Sequence, residues 1–190
     1  MSLRLFTLCL SLVAGLSPAA EPATAWSGSA RISFSGTSTL HDWSGLVGAR
    51  PFDLLVSTTP DGRPRHLRSR VVVAASEMDT DDKRRDANMH RCMKVAEHPL
   101  IEAVIDTPVA SVAADGKMPT QLPFTLNLLG RSLPITGNIS RWQRSGNRAE
   151  FDLDFDVSLK AAGIEVPSVL WLIRVGDTIK LRATVQLTLN

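Results

Sequence analysis

Tyrosine is absent from this 190-residue chain, cysteine occurs twice, and aromatic residues make up only 5% of it. Cys9 falls in an apolar leader, which leaves Cys92 alone in the remainder, so no intrachain disulfide is available and a packed core must carry the fold. Long apolar runs are also missing. The one from Leu5 to Leu16 is interrupted by Thr7, Cys9, Ser11 and Gly15 and falls well short of the ~20 residues that cross a bilayer, so no stable membrane span is expected once the leader is removed. Charge of one sign is scarce: 21 Lys and Arg against 19 Asp and Glu give a net charge of +2. That excludes the concentrated basic face of a nucleic-acid-binding protein.

What is present at the N-terminus is a short positive start, Met1-Ser2-Leu3-Arg4, the apolar run, and then Ser17-Pro18-Ala19-Ala20-Glu21-Pro22-Ala23-Thr24-Ala25. This is the pattern of a secretory signal, with cleavage expected after Ala25 or after Ala19. The expectation is therefore a periplasmic or secreted protein, with residues 1–25 as signal peptide and 26–190 as one domain.

The remainder reads as strands separated by turns. Ile32 and Phe34 share one face of a first strand that runs on through Gly36-Thr37-Ser38-Thr39 into Leu40-His41-Asp42-Trp43-Ser44-Gly45. Phe52, Leu54 and Val56 alternate with polar positions, Pro60-Asp61-Gly62 turns, and Leu67 to Ala75 returns. A single helix is expected over 79–98: Asp79 to Asp82 supply capping oxygens, Met89, Cys92, Met93 and Ala96 make one apolar face, and Pro99 stops it. Alternation resumes at Ile101, Ala103 and Ile105. It continues at Leu122 to Leu128, at Leu133 to Ile139 ending near Trp142, and most regularly at Phe151 to Leu159 and Ile179 to Leu189. Turns are expected at Asp115-Gly116, Gly130-Arg131-Ser132, Ser145-Gly146-Asn147 and Val175-Gly176-Asp177-Thr178, while Val169 to Val175 is too short to assign by period. Eight or nine antiparallel strands with one apolar face must stack as two sheets or close on themselves. Strands of about ten residues exceed the usual ~5–6. The expectation is an all-β chain: a single antiparallel, lipocalin-like β-barrel of about eight strands with one inserted helix, a sandwich being the other solution.

Candidate chemistry is thin. Ser38, His41 and Asp42 have the residue types of a nucleophile, base and orienting carboxylate, but neighbours on an extended chain point to opposite faces, and no Gly-x-Ser-x-Gly elbow occurs. His90 and Cys92 lie about 200° apart around a helix, and with His41, His66 and His98 scattered there is no His-x-x-x-His or Cys-x-x-Cys pair. The stripe Asp152, Asp154, Asp156 has strand spacing without the glycine and later glutamate of a calcium loop, and reads as solvated surface. No catalytic residue, metal ligand or cofactor is expected, and the chain is read as a binding protein and not an enzyme. The inward apolar rows either meet in a dry core or line a cavity for an apolar guest. Periodicity does not separate the two.

In series, three motifs resemble the YceI-like family of exported lipid-binding proteins: Phe34 to Gly45 around Ser-Thr-Leu-His-Asp, Met78-Asp79-Thr80-Asp81-Asp82 with Arg85-Asp86, Met89 and Pro99, and Leu129-Gly130 followed by Leu133-Pro134-Ile135-Thr136-Gly137. The resemblance covers nearly all of 26–190. It implies a lipocalin-like barrel with a helical segment against it and a long apolar pocket for a polyisoprenoid or related amphiphilic lipid, an isoprenoid quinone among them. The chain departs from the family in lacking tyrosine and in having His98 before Pro99, where an aromatic is common. Parity and resemblance together make Phe34, Leu40, Trp43, Phe52, Met89, Met93, Phe124, Leu126, Phe151 and Phe155 the expected lipid-binding residues. His41 and Asp42 are expected as structural hydrogen-bonders where the first strand bends. The alternative is a secreted stress or interaction protein whose barrel is filled by its own side chains. The oligomeric state is open, a dimer being one option.

Overall fold

The computed structural model describes residues 23–39, 41–113, 118–165 and 175–190. The expected signal segment up to residue 22 with the expected cut after Ala19, Leu40, the expected Asp115-Gly116 turn and residues 169–174 of the apolar segment lie outside them. Nine antiparallel strands follow in order: β1 (Ala23–Gly36), β2 (Trp43–Gly48), β3 (Phe52–Thr58), β4 (Pro64–Ala74), β5 (Leu100–Pro108), β6 (Gln121–Leu128), β7 (Arg131–Ser145), β8 (Arg148–Ser158) and β9 (Thr178–Leu189). Each of β3 to β8 pairs with the next, and β9 pairs back on β1 over ten residues, from Trp26↔Leu189 to Ser35↔Lys180. The sheet is thus an eight-stranded barrel, and β2 is one strand more. The barrel expectation holds and the sandwich does not.

β1 closes the barrel because it is long enough to hold three partners. On one side it carries β9. On the other its first half pairs with β3, from Ala23↔Ser57 to Gly28↔Phe52, and its second half with β2, from Arg31↔Gly48 to Gly36↔Trp43. Strands β2 and β3 are two pieces of one interrupted strand. At the interruption the Ala49 N–H donates to the Ala30 carbonyl and the Arg50 N–H to the Val72 carbonyl, so the chain crosses from β1 to β4 without stranding these donors.

Antiparallel order puts the connections at two ends. One end holds the bend after β1, the β4–β5 excursion, the β6–β7 turn and the β8–β9 excursion. It is filled. The excursion after β4 carries α1 (Lys83–Cys92), shorter than the expected 79–98, with Asp82 as N-cap accepting from the backbone N–H groups of Arg84 and Arg85 at 2.9 and 3.0 Å. Those bonds hold the Asp82 carboxyl below the usual carboxylate range, Arg85 having the largest effect. The helix lays Met89, Cys92 and Met93 on the barrel core, and burial pushes the Cys92 thiol up. A second helix, α2 (Leu159–Ala162), was not expected. The Ser158 hydroxyl accepts from the Ala161 N–H and donates to the Asp177 carboxylate, and Gly163 at φ 75° ends the turn in the left-handed region. Those four residues are too few for a 3.6-residue period to register.

The Phe34–Gly45 stretch builds the corner of this filled end. Phe34 and Trp43 meet edge to face at 6.3 Å, and Phe34, Val47, Val73 and Ile179 form a second small core. Leu46 exchanges backbone hydrogen bonds with Asp79, at 2.7 and 3.0 Å, which ties β2 to the approach to α1. Thr80, itself buried, donates from both N–H and hydroxyl to Asp86 at 2.9 and 2.5 Å. Ser38 donates to the His41 carbonyl at 2.7 Å and accepts from its N–H. At the bend the Ser38 hydroxyl bonds the His41 backbone, while the side chains of His41 and Asp42 are exposed. That corrects the expectation for those two side chains.

Gly45 is where this corner is tightest. A Cβ there would stand 2.4 Å from the Phe34 ring and 2.6 Å from the Asp79 carbonyl oxygen. Neither side can yield, since one is a buried ring and the other is backbone. Gly45→Ala is expected to destabilise the protein by about 1–3 kcal/mol, the usual cost of overpacking, read as a lowered urea midpoint with unchanged slope.

Candidate functional site

The other end of the barrel gathers the start of β1, the β3–β4 turn, the β5–β6 connection with its short turn at Val109–Ser111, the β7–β8 turn and the end of β9. No α-helix packs into it among the described residues. From this end a cavity of about 530 Å³ runs inward, within the ~300–1,000 Å³ of small-molecule pockets. The alternative of a self-filled core thus describes the plugged end and fails for the open one.

Strand parity accounts for most of the wall. β3 contributes Phe52, Leu54 and Val56, β4 contributes Leu67 and Val71, and β9 contributes Ala183, Val185, Leu187 and Leu189. Phe124 and Phe155 meet edge to face at 5.2 Å on opposite sides of β7, and Trp142 lies at 5.6 Å over Phe151. Among the described lining residues, only Arg144 is charged, and Thr24, Thr58 and Ser69 add hydroxyls. The Ser69 hydroxyl is spent on the Asp53 carbonyl at 2.8 Å. Such a wall presents an apolar surface with few hydrogen-bonding groups.

Of the ten expected residues, Phe52, Phe124, Phe151 and Phe155 line this cavity. Phe34 and Trp43 belong to the corner core, while Met93 and Leu126 are buried and Met89 half-buried in the plugged end. Leu40 lies outside the described residues. Inward-facing on a barrel strand and lining the cavity are thus different properties, divided by which end is plugged.

Two cavity residues escaped the sequence reading for instructive reasons. Trp26 shares its face with Gly28, Ala30, Ile32 and Phe34, so counting back by twos from Phe34 reaches it. Trp142 breaks the parity of Leu133, Ile135, Gly137 and Ile139. The pairing of β7 with β8 slips between Ser140 and Gln143, and Arg141 between them has φ 52°. This bulge reverses the faces and turns Trp142 inward.

The bulge is held from outside the barrel by a carboxylate that sequence assigned to solvated surface. Asp152 is only 1% exposed. Arg141 Nε donates to it at 2.6 Å and Thr184 Oγ1 at 2.8 Å, with Arg182 Nε at 3.8 Å. Two residues on along β8, Asp154 pairs across to Arg182 of β9 at 2.6 Å, and these carboxylates push the Arg182 guanidinium pKa further up. The other polar candidates are also structural: His90 Nε2 lies 3.1 Å from the Met78 carbonyl, and His66 pairs with Asp106, whose carboxyl it holds below the usual range.

A family model described as YceI-like domain matches residues 27–187. Solved structures with the same fold include a polyisoprenoid-binding domain from Saccharophagus degradans implicated in plant cell wall breakdown (13% identity, 88% of this chain and 99% of that one, TM-score 0.63). BcnA of Burkholderia cenocepacia is similar at 12% identity over 83% and 95% of the two chains, with TM-score 0.58. The YCEI protein of Campylobacter jejuni follows at 13%, over 73% and 81%, with TM-score 0.50. No curated protein sequence matches the chain. No helix among the described residues is long and apolar enough to cross a membrane.

Asp152→Asn keeps the shape of the side chain but removes the charge that holds Arg141. It is expected to cost about 1.5–3 kcal/mol, the worth of hydrogen bonds to a charged group, and to change tryptophan emission as Trp142 loses its fixed position. Unchanged stability and emission would mean that the bulge does not depend on Asp152.

Proposed function

This chain belongs to the YceI-like family, and on that premise we propose that it is an exported protein that sequesters or carries a polyisoprenoid or related amphiphilic lipid, an isoprenoid quinone among the candidates, in its barrel cavity. The observation that carries this reading is the shape of the interior: apolar over its wall, open at one end and plugged by α1 and α2 at the other. Each methylene taken from water into such a wall contributes ~0.8 kcal/mol, so a chain of several isoprene units binds tightly with no reacting group nearby. The name of the Saccharophagus domain supports the same ligand class. The reading is of binding, with the protein releasing the lipid unchanged.

Native mass spectrometry of protein purified from its own host is expected to find added mass that solvent extraction removes and identifies as lipid. Ala30 on β1 lines the cavity and is only half-buried, so a larger side chain there projects into the open volume. Ala30→Phe is expected to weaken lipid binding about tenfold or more, by displacing two or more methylenes at ~0.8 kcal/mol each, with the circular dichroism spectrum kept. Protein that carries no lipid and takes up none would overturn the reading.

Export carries its own consequence for the cut. Ala23, Thr24 and Ala25 pair with Ser57, Val56 and Leu55, and the Ala25 carbonyl accepts from the Asn190 N–H. Cleavage after Ala25 removes these pairs from the closing strand; cleavage after Ala19 leaves them. N-terminal sequencing of the exported protein is expected to begin at Ala20, and a start at Trp26 would sink this choice.

A further inference from the structure

The one charge in the described cavity wall stands at its mouth. Arg144 lies near the end of β7, with its guanidinium carbon 5.4 Å from the centroid of the Trp26 ring. Trp26 is only 9% exposed, so its ring is a fixed platform, and a cation over an indole face at this distance is attracted to it. Several other arginines are engaged with carboxylates. Arg141 holds Asp152, Arg182 holds Asp154, Arg68 holds Asp106, and at the same end of the barrel Arg63 holds Asp61 at 3.0 Å. Among the described residues, Arg144 has neither a carboxylate partner nor a side-chain hydrogen bond. Stacking on a ring leaves the planar fork of donors free. Thr24 and Thr58 set two further polar residues on the rim.

We propose that Arg144 is the head-group site of the cavity, and that the lipid it selects ends in an oxyanion, a carboxylate or a phosphate. The inference rests on the lipid-binding reading above and deepens it. An oxyanion accepts two parallel N–H bonds from a guanidinium, and such charge-assisted pairs are about twice as strong as neutral ones. An uncharged alcohol gains one weaker bond there, and a cationic head is repelled. The site also fixes direction. The head sits at the mouth over Trp26, and the chain runs inward past Trp142 to Phe124 and Phe155, where a charge would be buried without a partner. Because Trp26 already orients the guanidinium, little further side-chain freedom is lost when the head group arrives.

The test displaces a neutral fluorescent probe, 1-aminoanthracene, with two chain-matched pairs: palmitate against palmityl alcohol, and farnesyl phosphate against farnesol. For the unaltered protein, the anionic member of at least one pair is expected to bind about tenfold tighter, with the preference shrinking in 0.5 M salt as the shorter Debye length screens this exposed charge. Preference within one pair names carboxylate or phosphate as the head, and preference within both leaves their shared chemistry as the determinant. Arg144→Gln is expected to remove the preference while the alcohols keep their affinity to within about twofold, since an exposed side chain takes little from the apolar wall. Arg144→Lys retains part of it, having the charge without the fork. Equal binding of acid and alcohol by the unaltered protein would overturn the head-group site while leaving the lipid cavity standing, as would an equal loss of both on Arg144→Gln. Failure of all four compounds to bind sinks the lipid reading itself, and this inference with it.

Discussion

The pairing of β1 with β9 is the interaction on which the rest of this protein depends. A sheet of eight twisted strands with one apolar face has two unpaired edges and an interior open to water; joining its first and last strands removes both problems at once. Ten residues of each strand are spent on that seam. Cys92 is the one cysteine among the described residues and is free, so no disulfide between them substitutes for it. Because β1 also holds β3 and β2 on its other side, the seam, the start of the meander and the corner that locks α1 share one strand.

Closure makes a tube, and the tube is divided by what fills its ends. At one end the chain inserts α1 and α2, and the motifs around Phe34–Gly45 and Met78–Asp86 meet there: Gly45 passes beneath Asp79, Leu46 pairs with it, and Thr80 is pinned by Asp86. These residue types look chemical in a one-dimensional reading because histidine, aspartate, serine and threonine are the vocabulary of active sites. Here Ser38, Asp82 and Asp86 satisfy backbone donors and acceptors where strands leave a sheet, a task that needs the same short polar side chains, while the side chains of His41 and Asp42 stay exposed. At the other end nothing among the described residues is inserted, and the inward rows of β3, β4, β8 and β9 face empty volume. The same alternation of apolar residues yields core in one half of the barrel and pocket wall in the other.

Local departures from regular strand geometry then tune the pocket. The bulge at Arg141 costs a left-handed backbone and is stabilised by a buried carboxylate on β8, and its effect is to turn Trp142 into the cavity and carry Arg144 to the rim. One tryptophan and one arginine of the pocket wall thus follow from one extra residue in β7.

Much was determined by the sequence alone. Period-two alternation with short turns dictates antiparallel strands, the absence of a disulfide demands a closed core, and the capping oxygens of Asp82 start α1, because these are local matters settled by dihedrals, side-chain parity and neighbouring hydrogen-bond groups. Phe52, Phe124, Phe151 and Phe155 were legible as cavity residues by parity. Tertiary structure decided the rest. Phe34, Leu126 and Met93 face the same interior but lie at the plugged end, which no period reports. Asp152 belongs to an acidic stripe until Arg141 and Thr184 from the flanking strands cover it, and Trp142 faces inward only through a register slip between two strands. Which end of the tube is filled, and where one residue is gained in a pairing, are relations between segments far apart in the chain, and only folding brings them together.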